Sequence, residues 1–212
     1  NDARRQRQMC IRDRFIYIGE RMLKKFIILL LFPVITFAST DKYIIDKSHF
    51  AVGFLVEHVG YAKTLGMFRE IDGNYSHDAE NNTINDINII IKTDSVFTNH
   101  DKRDEHLMSP DFLNVSKYPE MTFRANNIKI DNEETIIDGQ LTLLGITKPL
   151  TLYGKINKIA KYPFGGIIKP YVMGISAKGV IKRSDHGMMY AVKDNLVGDE
   201  IELIIEFEAI RQ

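Results

Sequence analysis

The side chains best suited to chemistry are gathered in one polar stretch. His100, Asp101, Asp104, Glu105 and His106 are all metal-ligand types, because imidazole and carboxylate both coordinate zinc. No His-x-x-x-His pair sets two imidazoles on one helix face, so the stretch reads as a solvated helix face and no metal is assigned. Ser184-Asp185-His186 holds the residue types of a hydrolytic triad. Triad members converge through space from separated elements, and here they are adjacent, with no Gly-x-Ser-x-Gly elbow anywhere. His49 and His58 meet only if their strands pair, and His58, on the expected inner face, reads as a hydrogen-bonded interior histidine. The single cysteine, Cys10, leaves no thiolate pair, and no phosphate-binding loop or dinucleotide fingerprint occurs. These residues point away from an enzyme and from any cofactor.

The elements that position them are strands. From Thr40 onward, apolar residues recur every second position, the mark of half-buried β-structure. Val52, Phe54, Val56 and His58 share one face, as do Ile87, Ile89 and Ile91. Met121, Phe123 and Ala125 repeat the pattern, then Leu141 with Leu143 and Leu150 with Leu152. At the end of the chain Ile201, Leu203, Ile205, Phe207 and Ala209 alternate with Glu202, Ile204, Glu206 and Glu208. Strands are expected near residues 42–46, 50–58, 65–76, 83–93, 119–130, 134–144, 148–160, 171–183 and 199–210, the first two as one bent strand. Breaks are expected at Asp72-Gly73-Asn74, His77–Asn82, Asp131-Asn132-Glu133 and Gly198-Asp199, and a tight hairpin at Leu144–Pro149. Only Asn99–Asn114 lacks the alternation. There Asn99 is expected to cap a short helix, with Asp101 and Asp104 in its first turn and Pro110 ending it. One or two such helices would lie across an opening of an antiparallel barrel of about eight strands.

Composition agrees with one globular domain, with 44% hydrophobic and 26% charged residues. Net charge is zero, but residues 1–38 carry 8 of the 28 basic and 3 of the 28 acidic residues. The remainder therefore has 20 against 25, a net −5, which argues against a nucleic-acid partner. Met22 opens a secretory signal pattern: Lys24 and Lys25, an apolar run from Phe26 to Phe37, then Thr36-Phe37-Ala38 with small residues at the −3 and −1 positions. Cleavage is expected after Ala38, giving domain bounds of 22–38 for the signal peptide and 39–212 for the barrel. The apolar run is shorter than the roughly 20 residues of a membrane span. Residues 1–21 match nothing that follows and read as a mis-started or non-native leader.

Six blocks of the chain, in order, resemble the YceI-like family. They are Tyr43-x-x-Asp46 with Ser48-His49-Phe50, Phe54-x-Val56-x-His58 with Gly66-x-Phe68, and Arg103-Asp104-x-His106-Leu107-x-Ser109-x-Asp111-Phe112. Tyr118-Pro119-x-Met121-Thr122-Phe123, Gly139-x-Leu141-Thr142-x-x-Gly145-Ile146-Thr147-Lys148-Pro149, and Arg183-Ser184-Asp185-His186-Gly187 with Val197-Gly198-Asp199-x-Ile201 complete the set. The family usually carries an aromatic residue where His186 stands. The resemblance implies an eight-stranded lipocalin-like barrel, export to the periplasm, and binding of a long-chain isoprenoid such as a polyprenol or an isoprenoid quinone, with no established catalysis. Homodimers occur in such families.

The inner-face residues then become the expected ligand contacts: Val52, Phe54, Val56, His58, Phe68, Ile89, Ile91, Met121, Phe123, Leu141, Leu143 and Leu152. Met67 and Met121 suit an irregular tail, and Gly66, Gly139 and Gly154 are expected to leave room beside it. Two other readings share the same pattern. An outer-membrane barrel also alternates, but with apolar residues outward and polar ones inward. A quinone-dependent enzyme or electron-transfer partner needs a reactive constellation that the residues above do not form.

Overall fold

The computed structural model describes residues 40–212; the expected leader, signal peptide and cleavage site lie outside the described residues. One sheet contains β1 (Thr40–His58), β2 (Ala62–Phe68), β3 (Ile71–Asp78), β4 (Thr83–Lys92), β5 (Val96–Phe97), β6 (Glu120–Ala125), β7 (Ile128–Lys129), β8 (Thr135–Leu143), β9 (Ile146–Lys161), β10 (Tyr171–Lys182) and β11 (Val197–Arg211). Helix α1 (Asp101–Met108) follows β5, and single 3-10 turns span Thr93–Ser95 and Arg183–His186.

β2 and β3 pair with successive stretches of β1 and act as one bent strand. β5 adds two residues against β2, and β7 adds two against β4. Counted this way, eight antiparallel strands follow one another around a barrel, and β11 returns to β1 to close it. The alternation explains the closure. On β11, Leu203, Ile205 and Phe207 pack against the core, while Glu202, Glu206 and Glu208 take the other face. The interior is apolar, the reverse of an outer-membrane barrel. Among the described residues, no helix is long and apolar enough to cross a membrane.

Connections alternate between the two ends. One end carries the turn at 59–61, the long α1 segment 93–119, the turn at 144–145 and the 183–196 segment. The other carries the turns at 79–82, 126–134 and 162–170. This second end is filled with side chains. Tyr43 stacks on Tyr75 with ring centroids 5.3 Å apart, and the Tyr75 hydroxyl donates to Met173 Sδ at 3.2 Å. The tight hairpin expected at Leu144–Pro149 is a two-residue loop, Leu144-Gly145, with both residues at the positive φ such a loop requires, 52° and 73°.

Several expectations are corrected. Asp72-Gly73-Asn74 is strand, not a turn. A Cβ on Gly73 would lie 2.7 Å from Ile89 Cδ1 and 2.9 Å from Ile45 Cδ1, so this glycine admits two core side chains. The break comes instead at Arg69-Glu70, where both amides donate to Ser95 Oγ. Gly198-Asp199 lies within β11. Asn99 does not cap α1: it takes a left-handed conformation (φ 60°), and His100 is the cap, its Nδ1 accepting from the Arg103 amide at 3.2 Å.

Candidate functional site

A cavity of about 410 Å³ occupies the end of the barrel beneath α1 and the 183–196 segment. Its wall comes from cross-strand rows. Leu203, Phe54 and Gly66 stand side by side on β11, β1 and β2, and Ile201, Val56 and Thr64 form the next row. Of the expected contacts, Phe54, Val56, His58, Phe68, Met121 and Leu143 line this cavity. Val52, Ile89, Ile91, Phe123, Leu141 and Leu152 belong to the packed interior and are not wall residues.

The sequence led to a short helix across the opening, but not to the side chains of the cover that line the cavity, nor to its second half. Leu107, Phe112 and Leu113 reach in from α1 and the turn after it, and Met188, Tyr190 and Leu196 from the 183–196 segment. Neither segment has a strand or helix period long enough to betray an inward face. The available signal was a few bulky apolar residues within polar surroundings. The two covers touch through aromatic edges: His106 lies edge-on to Phe112 at 5.0 Å and to Tyr190 at 4.9 Å, with Nε2 3.0 Å from Asp111 Oδ2.

Arg183 fixes the second cover to the barrel. It is 1% exposed, and its guanidinium donates to three backbone carbonyls: Gly198 at 2.7 Å, Val197 at 2.7 Å and Met188 at 2.9 Å. Burial lowers its pKa from the usual guanidinium value, and the neighbouring Asp199 opposes that shift. Asp199 accepts from the Ser184 amide at 2.9 Å and hydroxyl at 2.8 Å. Burial would raise this carboxyl, but those two donors, together with the Arg183 and Lys182 charges, outweigh it and hold the pKa below the ordinary carboxylate value.

The polar candidates are thereby dispersed. Ser184 bonds to Asp199, and the buried His186 donates from Nδ1 to the Ile146 carbonyl at 3.1 Å, so Ser184-Asp185-His186 is not drawn together. Asp104 is not on a solvated face: it is buried and accepts from the Thr98 amide at 2.9 Å. Arg103 braces the same residue, with Nη2 donating to the Thr98 carbonyl at 2.6 Å and Nε to its hydroxyl at 2.7 Å. His49 and His58 sit on one strand, roughly 30 Å apart along it, so they do not meet. His58 is exposed at the cavity mouth, not interior. Among the described residues, the group that gathers three metal-ligand types lies elsewhere. It comprises Asp46, His49 and Glu208, within 4.8 Å of one another, and His49 Nδ1 bonds Asp46 Oδ2 at 2.8 Å.

The glycines do not leave room for a ligand. A Cβ on Gly66 would lie 2.1 Å from Phe54 Cζ, one on Gly139 2.4 Å from Phe123 Cζ, and one on Gly154 2.8 Å from Ile137 Cδ1. Protein side chains fill these spaces, two of them aromatic rings laid over a cross-strand glycine. Met67 is exposed outside the barrel, while Met121 is on the cavity wall.

A closed, sequentially wound eight-stranded barrel with an apolar cavity under a helical cover defines a lipocalin-like protein. Residues 43–209 match the YceI-like domain, and the chain belongs to that family. It is 40% identical over 174 residues to Protein YceI of Escherichia coli O6:H1, covering 80% of this chain and 87% of that protein. Its fold is similar to the crystal structure of the Campylobacter jejuni YCEI protein, with a TM-score of 0.65 and 33% identity over 74% of this chain and 90% of that one. A polyisoprenoid binding domain from Saccharophagus degradans shares the fold at 10% identity, with a TM-score of 0.58, over 81% of this chain and 98% of that one.

Proposed function

We propose that this barrel binds a long-chain isoprenoid lipid in the mouth-side cavity and carries or stores it in the periplasm. The observation that supports this reading is the cavity itself: about 410 Å³, enclosed by aliphatic and aromatic side chains and opening at one end. That volume lies within the ordinary range for small-molecule sites, about 300–1,000 Å³. The Saccharophagus degradans domain, described as polyisoprenoid binding, has the same architecture.

Affinity follows from burial alone. Each CH₂ contributes roughly 0.8 kcal/mol, so a five-carbon prenyl unit contributes about 4 kcal/mol. Three units, about 12 kcal/mol, exceed the lower estimates of the cost of association. The polar end of the lipid would rest at the mouth, where His58, Arg103 and His106 lie. No reactive constellation accompanies the cavity, so the reading is sequestration without turnover.

The test is to purify the exported protein without detergent and extract it for mass spectrometry. A stoichiometric isoprenoid is expected, and the Ile181→Trp variant, which fills the cavity from its wall, should carry at least tenfold less with its β-sheet circular dichroism intact. A folded protein that carries no lipid and takes up neither added polyprenol nor quinone would leave the cavity as a packing defect.

A further inference from the structure

The turn between β9 and β10 departs from the rest of the molecule in two ways. It exposes large apolar side chains at its tip: Phe164 is 72% exposed, Ile167 104% and Ile168 90%. Side chains of this size, grouped on one projecting turn, mark an interaction surface. The second departure is charge. Between Asp138 and Asp185 the chain has seven lysines and no acidic residue, and four of those lysines stand on the half of the β9–β10 hairpin that leads to this turn, although the described body as a whole is acidic. Lys161 and Lys169 flank the tip, with Lys158 and Lys155 further down β9, all exposed. Glu206 and Glu208, on β11, face the groove at the base of the hairpin that Lys158, Lys161 and Phe164 also line, and Glu206 is engaged there by the Ser176 hydroxyl.

The arrangement is layered. The apolar tip is outermost. Tyr162 stands below it, edge-on to Phe164 with centroids 5.9 Å apart, and Lys161 lies 5.9 Å from the Tyr171 ring. Lys169 Nζ folds back to the Pro163 carbonyl at 2.7 Å. An apolar tip backed by aromatic rings with lysines beside them follows the order of a bilayer interface: acyl chains, then the headgroup boundary with its anionic surface.

We propose that the β9–β10 turn is a docking element for an anionic lipid bilayer, inserting Phe164, Ile167 and Ile168 while the flanking lysines meet headgroup phosphates. A second copy of the chain fits this surface poorly, because apposing two such turns brings like charges together. The turn lies at the packed end of the barrel, opposite the cavity mouth, so docking through it leaves the mouth facing away from that bilayer. The inference therefore does not depend on what the cavity holds.

The chain contains no tryptophan, so Phe164→Trp places a single reporter at the tip. Its emission should shift to the blue with vesicles of phosphatidylglycerol and phosphatidylcholine, and should not shift with phosphatidylcholine alone or on adding Ile167→Ser and Ile168→Ser. Each lysine near an anionic surface is worth about 1 kcal/mol, or about fivefold in binding. Lys161→Gln with Lys169→Gln should therefore weaken association roughly twentyfold or more at low salt. A reporter indifferent to anionic vesicles overturns the proposal. So does an equal shift on neutral vesicles, or a shift that follows protein concentration without vesicles, which assigns the turn to self-association. Isoprenoid content, measured on the same variants, should not change.

Discussion

Replacing Arg183 by Met keeps the length of the side chain and removes every donor. Three carbonyls then lose their partner, that of Met188 in a buried bond and those of Val197 and Gly198 in partly buried ones. A buried acceptor left unsatisfied costs about 1–3 kcal/mol, so the gross loss is at most roughly 3–9 kcal/mol, less for the two carbonyls that water can partly reach. Relief from burying a guanidinium offsets part of this, leaving about 3–5 kcal/mol, the range found when one partner of a buried charged group is removed. A domain's whole stability is about 5–15 kcal/mol. With a urea m-value near 2 kcal/mol/M, the midpoint should fall by about 2 M. Arg183→Lys should recover less than half of that, because one ammonium cannot serve three carbonyls set on two sides of it. The 183–196 segment would also be freed, so bound lipid should exchange faster with acceptor vesicles. A midpoint within 0.5 M of the wild type would refute the assignment of Arg183 as the tie between cover and barrel.

Gly66→Ala should push the Phe54 ring toward the cavity, costing about 1–3 kcal/mol as overpacking and lowering lipid content, with Phe54→Leu restoring both in the double variant. Val59 holds a β-branched side chain at φ 52° beside the cavity mouth. Val59→Asn should relieve about 1 kcal/mol of backbone strain and raise the urea midpoint; a fall instead would show that its side-chain contacts outweigh the strain. His77 is buried, and desolvation holds its pKa below the ordinary imidazole value, against Asp41 and Asp78. The unfolded chain therefore binds the extra proton first, so the barrel should lose stability as pH falls below about 6.5. His77→Phe should flatten that decline between pH 7.5 and 5.5, and an unchanged slope in urea titrations would count against it.

The barrel wall was legible because its signal is local. Strands such as β4 and β11 show their inner face every second residue, and a turn like Leu144-Gly145 shows positive φ through its glycine. Where one residue type serves two purposes, the reading failed. Gly73 looks like a turn glycine but exists for the close approach of Ile45 and Ile89, and the real break at Arg69-Glu70 is made by Ser95, about 25 residues away. The cavity divided along the same line. Phe54, Val56 and Met121 follow from periodicity. Leu107 comes from a helix of two turns, and Phe112, Met188 and Tyr190 from irregular segments, the last two held inward by the long-range tie of Arg183, which no local pattern encodes.

The seam between β1 and β11 has a kinetic meaning. The other strand pairs of the barrel join segments near in sequence, many through short turns, whereas Tyr43 meets Arg211 across about 170 residues. Closing a loop of that length costs roughly 4–5 kcal/mol in chain entropy, against about 1 kcal/mol for a loop of a few residues. The seam should therefore form last, after the meander has assembled. Until then β1 and β11 are bare edges, able to recruit another chain. The nascent protein is thus most prone to aggregate just before β11 reaches β1, and a truncation that removes β11 would leave such edges, β1 and β10, permanently bare.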